Sequence, residues 1–406
     1  MTGASIAEAI PVAISPILTR LYSPEDFGIL SVFVAFLTLM GYVVNARYDA
    51  AIMLPKSDKE AINLFALGMS INFIISLCLL IIIFLFSNEI AIILGNEKIK
   101  FWLYFLPISI FLAGVFNIAN YFNNRKKEYC NIKNAYLFKS ITLSSIQVLM
   151  GILKSGASGL ISGLIISQIF ANGRLVKTVI RDRTNISLIS KNEIIKVAKK
   201  FKKFPKILIW GGVSSISSTH ITNLLISSLF SLSTLGFYAL AQRLLALPSA
   251  LISDQIGKVF FQTYSESSNE TKSGYDIFIK TFKNLIYIGV PIYLLIYIFI
   301  ENIFAIVFGE EWRIAGSYAK IMAPVFFFAF ILDPVSLINQ VNQKGSIEIF
   351  WQFGLLILNI TILTVGNFYS LTFESILIIL SLLISAYYLL YFYLIKKANF
   401  AQNIKI

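Results

Sequence analysis

The sequence predicts an all-α polytopic membrane protein of twelve transmembrane helices in two six-helix pseudo-symmetric lobes. Three observations lead there. The 406-residue chain is 57% hydrophobic and 14% charged with mean hydropathy +0.77, too apolar for a domain that covers its own core with polar surface. Apolar runs long enough to cross a hydrocarbon layer of roughly 30 Å recur from end to end, with nothing resembling a soluble domain between them. One octapeptide pattern occurs twice, as LYSPEDFG at 21–28 and LFSLSTLG at 229–236.

In chain order the spans are expected at 3–19, 27–46, 64–87, 101–122, 135–153, 157–173, 207–230, 235–256, 285–308, 318–338, 350–366 and 373–395. The runs exceed the about ten residues of a transmembrane strand and lack strand-type alternation, which excludes a barrel. No basic stretch precedes the first run, so it does not read as a cleaved signal peptide. Its shortness predicts a tilted helix or a chain that begins a few residues into the span. With the amino terminus inside, the segments 47–63, 123–134, 174–206, 257–284, 339–349 and 396–406 hold 26 of the 34 Lys and Arg. Outer loops hold Arg20, Lys98, Lys100, Lys154 and Arg313. Loops rich in Lys and Arg stay cytoplasmic, so both termini are expected there. The net charge of +13 is then a topology signal, and nucleic acid is not expected as a partner. Cys78 and Cys130 lie in a span and an inner loop, with no disulfide framework and no metal motif.

Each octapeptide leaves an odd-numbered span, turns through an outer loop, and starts the next span at Gly28 or Gly236. NEIAIILGNE at 88–97 matches NIFAIVFGEE at 302–311, and more weakly NYFNNRK at 120–126 matches NQVNQKG at 339–345. Two tandem halves of six spans keep the same orientation, related by an axis along the membrane normal, and such halves rock about a central site. The expected domains are an N-terminal lobe at 1–173, a basic cytoplasmic linker at 174–206 and a C-terminal lobe at 207–406. In the linker Ile194, Val197, Ala198, Phe201 and Phe204 recur at helical spacing beside eleven basic residues. Two readings stay open: an interfacial helix against anionic lipid, or a positive-inside determinant alone.

SPILTRLYSPEDFGILSVFVAF, RYDAAIMLPKSDKEA, KKFKKFPK and GFYALAQRLLALPSALISDQIGKVFFQ together resemble the polysaccharide-transport branch of the multidrug/oligosaccharidyl-lipid/polysaccharide exporter superfamily, the O-antigen flippases. The resemblance covers essentially the whole chain, and its first and last stretches are the most specific. It implies a bacterial inner-membrane protein that moves an undecaprenyl-pyrophosphate-linked oligosaccharide across the bilayer by alternating access. Partners implied are that lipid-linked glycan, the membrane lipids and other polysaccharide-assembly membrane proteins; no cofactor is implied.

Such a substrate asks for a polar cavity with cations. An ionisable side chain inside a membrane costs roughly 2.5–3.5 kcal/mol on insertion scales, so those present are functional candidates by default. Arg243 leads, because Gly236, Ala239, Arg243, Ala246, Ala250, Ser253 and Gly257 recur at spacings of three and four, one helical face of small residues. An arginine offers phosphate a planar fork and keeps its charge when desolvated. The alternative is a helix-packing seam with Arg243 paired to a buried acid. Asp254, eleven residues on, would share that face about 16 Å away. Arg20 and Arg47 end the first two spans, and Lys139 lies in the fifth. The resemblance places basic residues at the mouths of a cavity, and interfacial snorkelling is the competing account for all three. Asp49 follows Arg47 closely. Glu8 and Asp333 are acids suited to a coupling proton or, more simply, to pairing with a cation. His220, in SSISSTHITN, reads as a hydrogen-bonded helix contact.

The sequence offers no paired carboxylates, no nucleotide-phosphate loop, no nucleophile with a base and no outer loop longer than 88–100, so neither an enzyme nor a catalytic residue is expected. The remaining alternatives are a cation-coupled multidrug antiporter, which would bury acids in its first lobe where only Glu8 stands, and a peptidoglycan-precursor flippase.

Overall fold

The computed structural model describes residues 2–181, 186–267 and 271–400, and among them it contains helices and no strand. Among the described residues ten helical stretches are long and apolar enough to cross a membrane. The other two expected spans form differently. The first is broken into α1 (Thr2–Ala13) and α2 (Ser15–Leu21), with Pro11 inside α1 and Pro16 opening α2. The proline rings remove backbone donors and clash with the preceding turn, which breaks the run. The seventh is a 21-residue helix whose Ser, Thr and Asn content keeps it less apolar.

The first compact unit runs from Met1 to Leu235. After α1 and α2 it contains α3 (Pro24–Val43), the short α4 (Tyr48–Ala51), α5 (Asp58–Ile93), α6 (Lys98–Leu103), α7 (Leu106–Arg125), α8 (Tyr129–Ile152), α9 (Ala157–Arg181), α10 (Lys191–Lys200) and α11 (Ile209–Leu229). A π-helical stretch, Phe204–Leu208, leads into α11. The division at Leu235 differs from the lobe boundary expected from the repeat, because α11 packs along α3. Ser214, Ser217, Ser218, Thr222, Asn223 and Ser227 are buried on α11, and such small polar side chains let two helix backbones approach closely.

The second unit, Gly236–Ile406, follows most of α12 (Leu232–Leu245) with a π-helical stretch at Ser249–Ser253, α13 (Asp254–Ser267), α14 (Thr271–Phe308), α15 (Arg313–Ser336), α16 (Ile338–Val341), α17 (Gly345–Phe368) and α18 (Phe373–Phe400). Its core is aromatic. Trp351 stacks between Tyr387 and Tyr391 at 4.1 and 4.2 Å, and Phe282 stacks on Phe392 at 4.6 Å. Offset stacks of this kind add to the burial of large apolar area.

The internal repeat is written in the backbone. The two glycine anchors, Gly95 after α5 and Gly309 after α14, have φ of 71° and 109°. Outside glycine, Lys127 and Gln343 have φ of 59° and 55°, and Lys154 and Ser370 have 54° and 53°. Both pairs are 216 residues apart, and each member closes a helix. The amide of Glu128 donates to the carbonyl of Asn123 at 3.0 Å, and that of Lys344 to Asn339 at 2.7 Å. Asn339 is therefore equivalent to Asn123, three residues from the alignment the letters suggested. A left-handed residue after the last helical turn is a common helix stop, and its recurrence at one offset marks a duplicated turn.

The octapeptide is structural. In its first copy Ser23 and Asp26 form a reciprocal capping box at the start of α3. Tyr22 is buried and its hydroxyl donates to the Gln147 carbonyl at 2.6 Å. A Cβ on Gly28 would lie 2.0 Å from the carbonyl oxygen of Leu232, so the first copy of the repeat is pressed against the second.

The basic linker is not a free interfacial helix. On α10 Val197 is buried, as is Phe201 just beyond it, both in a cluster with Tyr48, Ile52 and Ile62, while Lys200 reaches Glu60 at 2.7 Å and Lys59 reaches Glu193 at 3.0 Å. Val197, Phe201 and Phe204 of the apolar stripe pack against residues of α4 and α5. Lys59 holds the Glu193 carboxyl below the usual range.

Candidate functional site

The RYDAA stretch makes a sharp turn at the end of α3. Ala46 and Arg47 both adopt left-handed backbone, φ 46° and 60°, a conformation that costs a non-glycine residue roughly 1–3 kcal/mol and clusters at functional sites. The strain aims the Arg47 guanidinium over the Tyr42 ring at 4.3 Å and brings it 3.7 Å from the Asp49 carboxylate. Asp49 is 2% exposed. Burial pushes its carboxyl above the usual range, and Arg47 works against that rise. Asn45 Oδ1, Arg47 Nε and Asp49 Oδ1 are buried without a hydrogen-bond partner among the described residues. Polar atoms held dry and unpartnered favour any ligand able to bond them. Tyr48 anchors the turn, its hydroxyl donating to the Ala198 carbonyl at 3.2 Å.

The other candidate cations of the first unit are dispersed. Arg20 is exposed at the end of α2. Lys139, on α8, has its ammonium 4.6 Å from the Phe116 ring centroid, so an aromatic face rather than a carboxylate faces this cation. Among the described residues Arg47 and Lys139 have no partner in common, Arg47 meeting Asp49 and Tyr42 and Lys139 meeting Phe116. Glu8 falls on α1, and its side chain lies outside the described residues.

In the second unit Arg243 occupies the last turn of α12, half-buried. Among the described residues it forms no ion pair, so the buried acid that a packing seam requires is not there. The expected face shared with Asp254 is not continuous. The α-helix ends at Leu245, and the π-helical stretch at 249–253, which follows Pro248, shifts the phase before Asp254 opens α13, exposed. An extra residue per turn rotates everything after it. Ser253 fixes the break by donating to the Phe330 carbonyl at 2.7 Å.

Asp333, at the end of α15, is exposed, and its electrostatic neighbours are the acids Glu348 and Asp254. The cation partner expected for it is absent among the described residues. Glu348 in turn accepts from the Tyr391 hydroxyl and, at 3.2 Å, from the Gln352 amide. Glu348 was missed in the sequence because it sits at the start of a span, where snorkelling explains an acid. Among the described residues no group of three His, Cys, Asp or Glu is arranged to hold a metal ion. His220 is half-buried on α11 with Nδ1 unbonded among the described residues, so the expected hydrogen-bonded contact is not made through that atom. Glu301 on α14 and Lys320 on α15 pair with each other at 3.3 Å.

Arg125 was also missed. It donates to the carbonyls of Ile52 and Pro55 at 3.3 and 2.5 Å and to Asp58 at 3.1 Å, and Lys126 reaches the same Asp58 at 2.7 Å. This clasp fixes the segment that follows Arg47 and Asp49.

A family model described as polysaccharide biosynthesis protein matches residues 17–316. The succinoglycan biosynthesis transport protein ExoT of Rhizobium meliloti (strain 1021) is 20% identical over 310 residues, 76% of this chain and 61% of that protein. The chain thus spans less than two thirds of the length of this curated relative. Among solved structures, a lipid II flippase MurJ in an inward closed conformation has a TM-score of 0.74 at 15% identity, covering 96% of this chain and 86% of that one. An inward-facing multidrug resistance MATE family transporter of the MOP superfamily has a TM-score of 0.66 at 11% identity, covering 99% and 94%. These likenesses show a common exporter fold.

Proposed function

Because the chain belongs to the polysaccharide biosynthesis protein family, we propose that this membrane flippase moves an undecaprenyl-pyrophosphate-linked oligosaccharide from the inner to the outer leaflet of a bacterial inner membrane. The relatives named above are a transport protein, a flippase and a transporter, which supports a transport reading. The observation that carries the substrate reading is Arg243, a half-buried guanidinium without a counter-ion among the described residues, one turn before a break in its helix. A cation kept unpaired in a membrane span at a cost of a few kcal/mol is suited to an anion that comes and goes. A guanidinium grips pyrophosphate through two parallel hydrogen bonds.

Transport would proceed by alternating access of lobes 1–173 and 207–406, with 174–206 on the cytoplasmic side together with both termini. Arg20, Arg47 and Lys139 would serve as further contacts for the anionic head group. Asp49 would hold Arg47 in place, and Asp254, Asp333 and Glu8 would be available for coupling. With the cytoplasm negative, each negative charge carried outward gains about 2.3 kcal/mol per 100 mV, so the membrane potential supports export of a pyrophosphate without an obligatory ion. The likeness to the lipid II flippase favours a peptidoglycan precursor as the second reading. Its head group poses the same electrostatic problem.

The test is the rate at which a polyprenyl-pyrophosphate oligosaccharide reaches the opposite leaflet of proteoliposomes with and without an imposed potential. Arg243→Ala is expected to lower the rate at least tenfold, the loss of one charge-assisted contact of about 1.5–3 kcal/mol, and Arg243→Lys to restore part of it. A wild type that moves no such lipid but exchanges cationic dyes for protons would make the antiporter reading correct.

A further inference from the structure

The first unit contains a pocket of about 820 Å³ at the ends of α7, α8 and α9. Its charge comes from two sides. Arg174, Lys177 and Arg181 lie on one face of α9 at spacings of three and four, and Lys126 approaches from the end of α7. Glu128 is the single acid in the lining. Lys126 is engaged with Asp58, but among the described residues none of the three α9 cations has an acidic partner. A positive-inside bias accounts for cations in this loop region, but not for three of them converging on one concavity.

The floor is built rather than incidental. Asn131 donates to Asn123 Oδ1 at 2.8 Å and to Thr178 Oγ1 at 2.6 Å, and Asn123, fully buried, donates to the Ala119 and Leu175 carbonyls at 2.8 and 3.0 Å. This network locks the start of α8 against α9. No side chain caps the amino-terminal end of α8, which opens in the pocket wall and adds its partial positive charge to that of the cations. Arg174 lies over the Phe138 ring at 4.9 Å, and Phe138, Tyr129 and Ile180 are exposed on the outer surfaces of α8 and α9. A cationic hollow whose two helices also expose aromatic and aliphatic side chains, at the level where spans end, suits a ligand that is anionic at one end and hydrocarbon at the other.

We propose that this pocket binds the phosphate-bearing head group of a lipid in the adjacent leaflet, with Arg174, Lys177 and Arg181 as its charge partners and Phe138 and Ile180 against the acyl or polyprenyl chain. The head group belongs either to a bulk anionic phospholipid or to a polyprenyl diphosphate. The proposal requires only that the chain span a membrane, and it does not depend on Arg243.

The full-length protein in nanodiscs of equal phosphatidylglycerol and phosphatidylcholine is released into a native mass spectrometer, as wild type and as Arg174→Gln/Lys177→Gln/Arg181→Gln. Wild type is expected to retain one phosphatidylglycerol selectively, and the variant to lose that selectivity about tenfold or more. Equal retention by both proteins, or no preference over phosphatidylcholine, overturns the proposal. Adding a short-chain polyprenyl diphosphate separates the sources. Its displacement of phosphatidylglycerol assigns the pocket to the carrier lipid, and no displacement assigns it to bulk phospholipid. Occupancy by inorganic phosphate without any lipid overturns the lipid reading. Cys130 lines the pocket and Cys78 is exposed elsewhere. In a Cys78→Ser background, neutral-maleimide labelling of Cys130 gives a second readout on a protein with all its cations. Protection by the retained lipid supports the site, and unchanged labelling counts against it. Retained lipid in an Arg243→Ala protein that no longer transports would show that the two sites are independent.

Discussion

The turn after α7 and the turn after α15 and α16 are copies whose surroundings have diverged. In both, a left-handed residue ends the helix and the carbonyl five residues back from the next amide closes it, at Asn123 and at Asn339. Around the first copy, Lys126, Arg174 and Lys177 line an open pocket. At the same offset their counterparts are Asn342, Leu390 and Tyr393. There Asn342 donates to Tyr264 and Asn399, Asn399 donates to Asn339, and Lys344 donates to the Ala398 carbonyl. The second turn is filled by its own side chains, while the first presents charge to whatever approaches it. Duplication preserved the features that backbone geometry demands and left the side chains around them free to diverge.

The comparison can be broken most severely at the glycines. Gly28→Leu should cost about 3 kcal/mol or more, because even a Cβ meets the Leu232 backbone, which has no rotamer to yield. Gly309→Ala should cost about 1–2 kcal/mol, since its added methyl meets no atom within 4 Å and only its φ of 109° resists. Thermal unfolding in detergent separates the two, and equal losses would mean that the repeated glycines share one role.

Next come the paired asparagines. Asn123→Ala removes two donated bonds and one accepted bond from a fully buried site, and about 2–3 kcal/mol is expected. Asn339→Ala removes one accepted bond from a residue whose amide nitrogen is already unbonded among the described residues, for about 1 kcal/mol. If Asn339→Ala proved the more damaging, the filled turn would be the one holding its unit together.

Asp49 offers a pH test without a counterpart in the second unit. Its folded-state pKa is raised by burial, so the folded state holds the proton more tightly than the unfolded chain. Its contribution should favour folding below the unfolded value of about 3.9 and decline as pH rises through the raised folded value. Asp49→Asn should therefore be relatively more stable than wild type at neutral pH and lose that advantage on acidification. A stability difference that did not change with pH would place the carboxylate fully under the control of Arg47.

The smallest effect belongs to the clasp between α10 and α5. The Lys200 to Glu60 pair, half-exposed at 2.7 Å, should show a double-mutant coupling of about 0.5 kcal/mol that fades with salt. A coupling that persisted at high salt would mean that the pair is shielded from solvent.

The recognisable motifs were legible in the sequence for a reason different from the one they suggested. LYSPEDFG stands out because a cap, a buried tyrosine hydroxyl and a helix crossing each need one residue type, and RYDAA because a left-handed arginine must be held by a nearby acid and ring. Arg243 was legible because a charge in an apolar run is costly wherever the helix packs. The phase between Arg243 and Asp254 was not, since a π-helical insertion depends on what Pro248 and Ser253 meet in the packed bundle.

The sequence alone determined the helical class, most of the spans, the duplication and the charge asymmetry, because each follows from transfer free energies and local backbone chemistry that neighbours do not alter. Tertiary structure decided where α10 docks, that Asp333 has no cation partner among the described residues, and that Arg174, Lys177 and Arg181 meet the start of α8 around one hollow. Those outcomes depend on which helix faces meet across a hundred residues or more of chain, and periodicity within a helix carries no information about its partner.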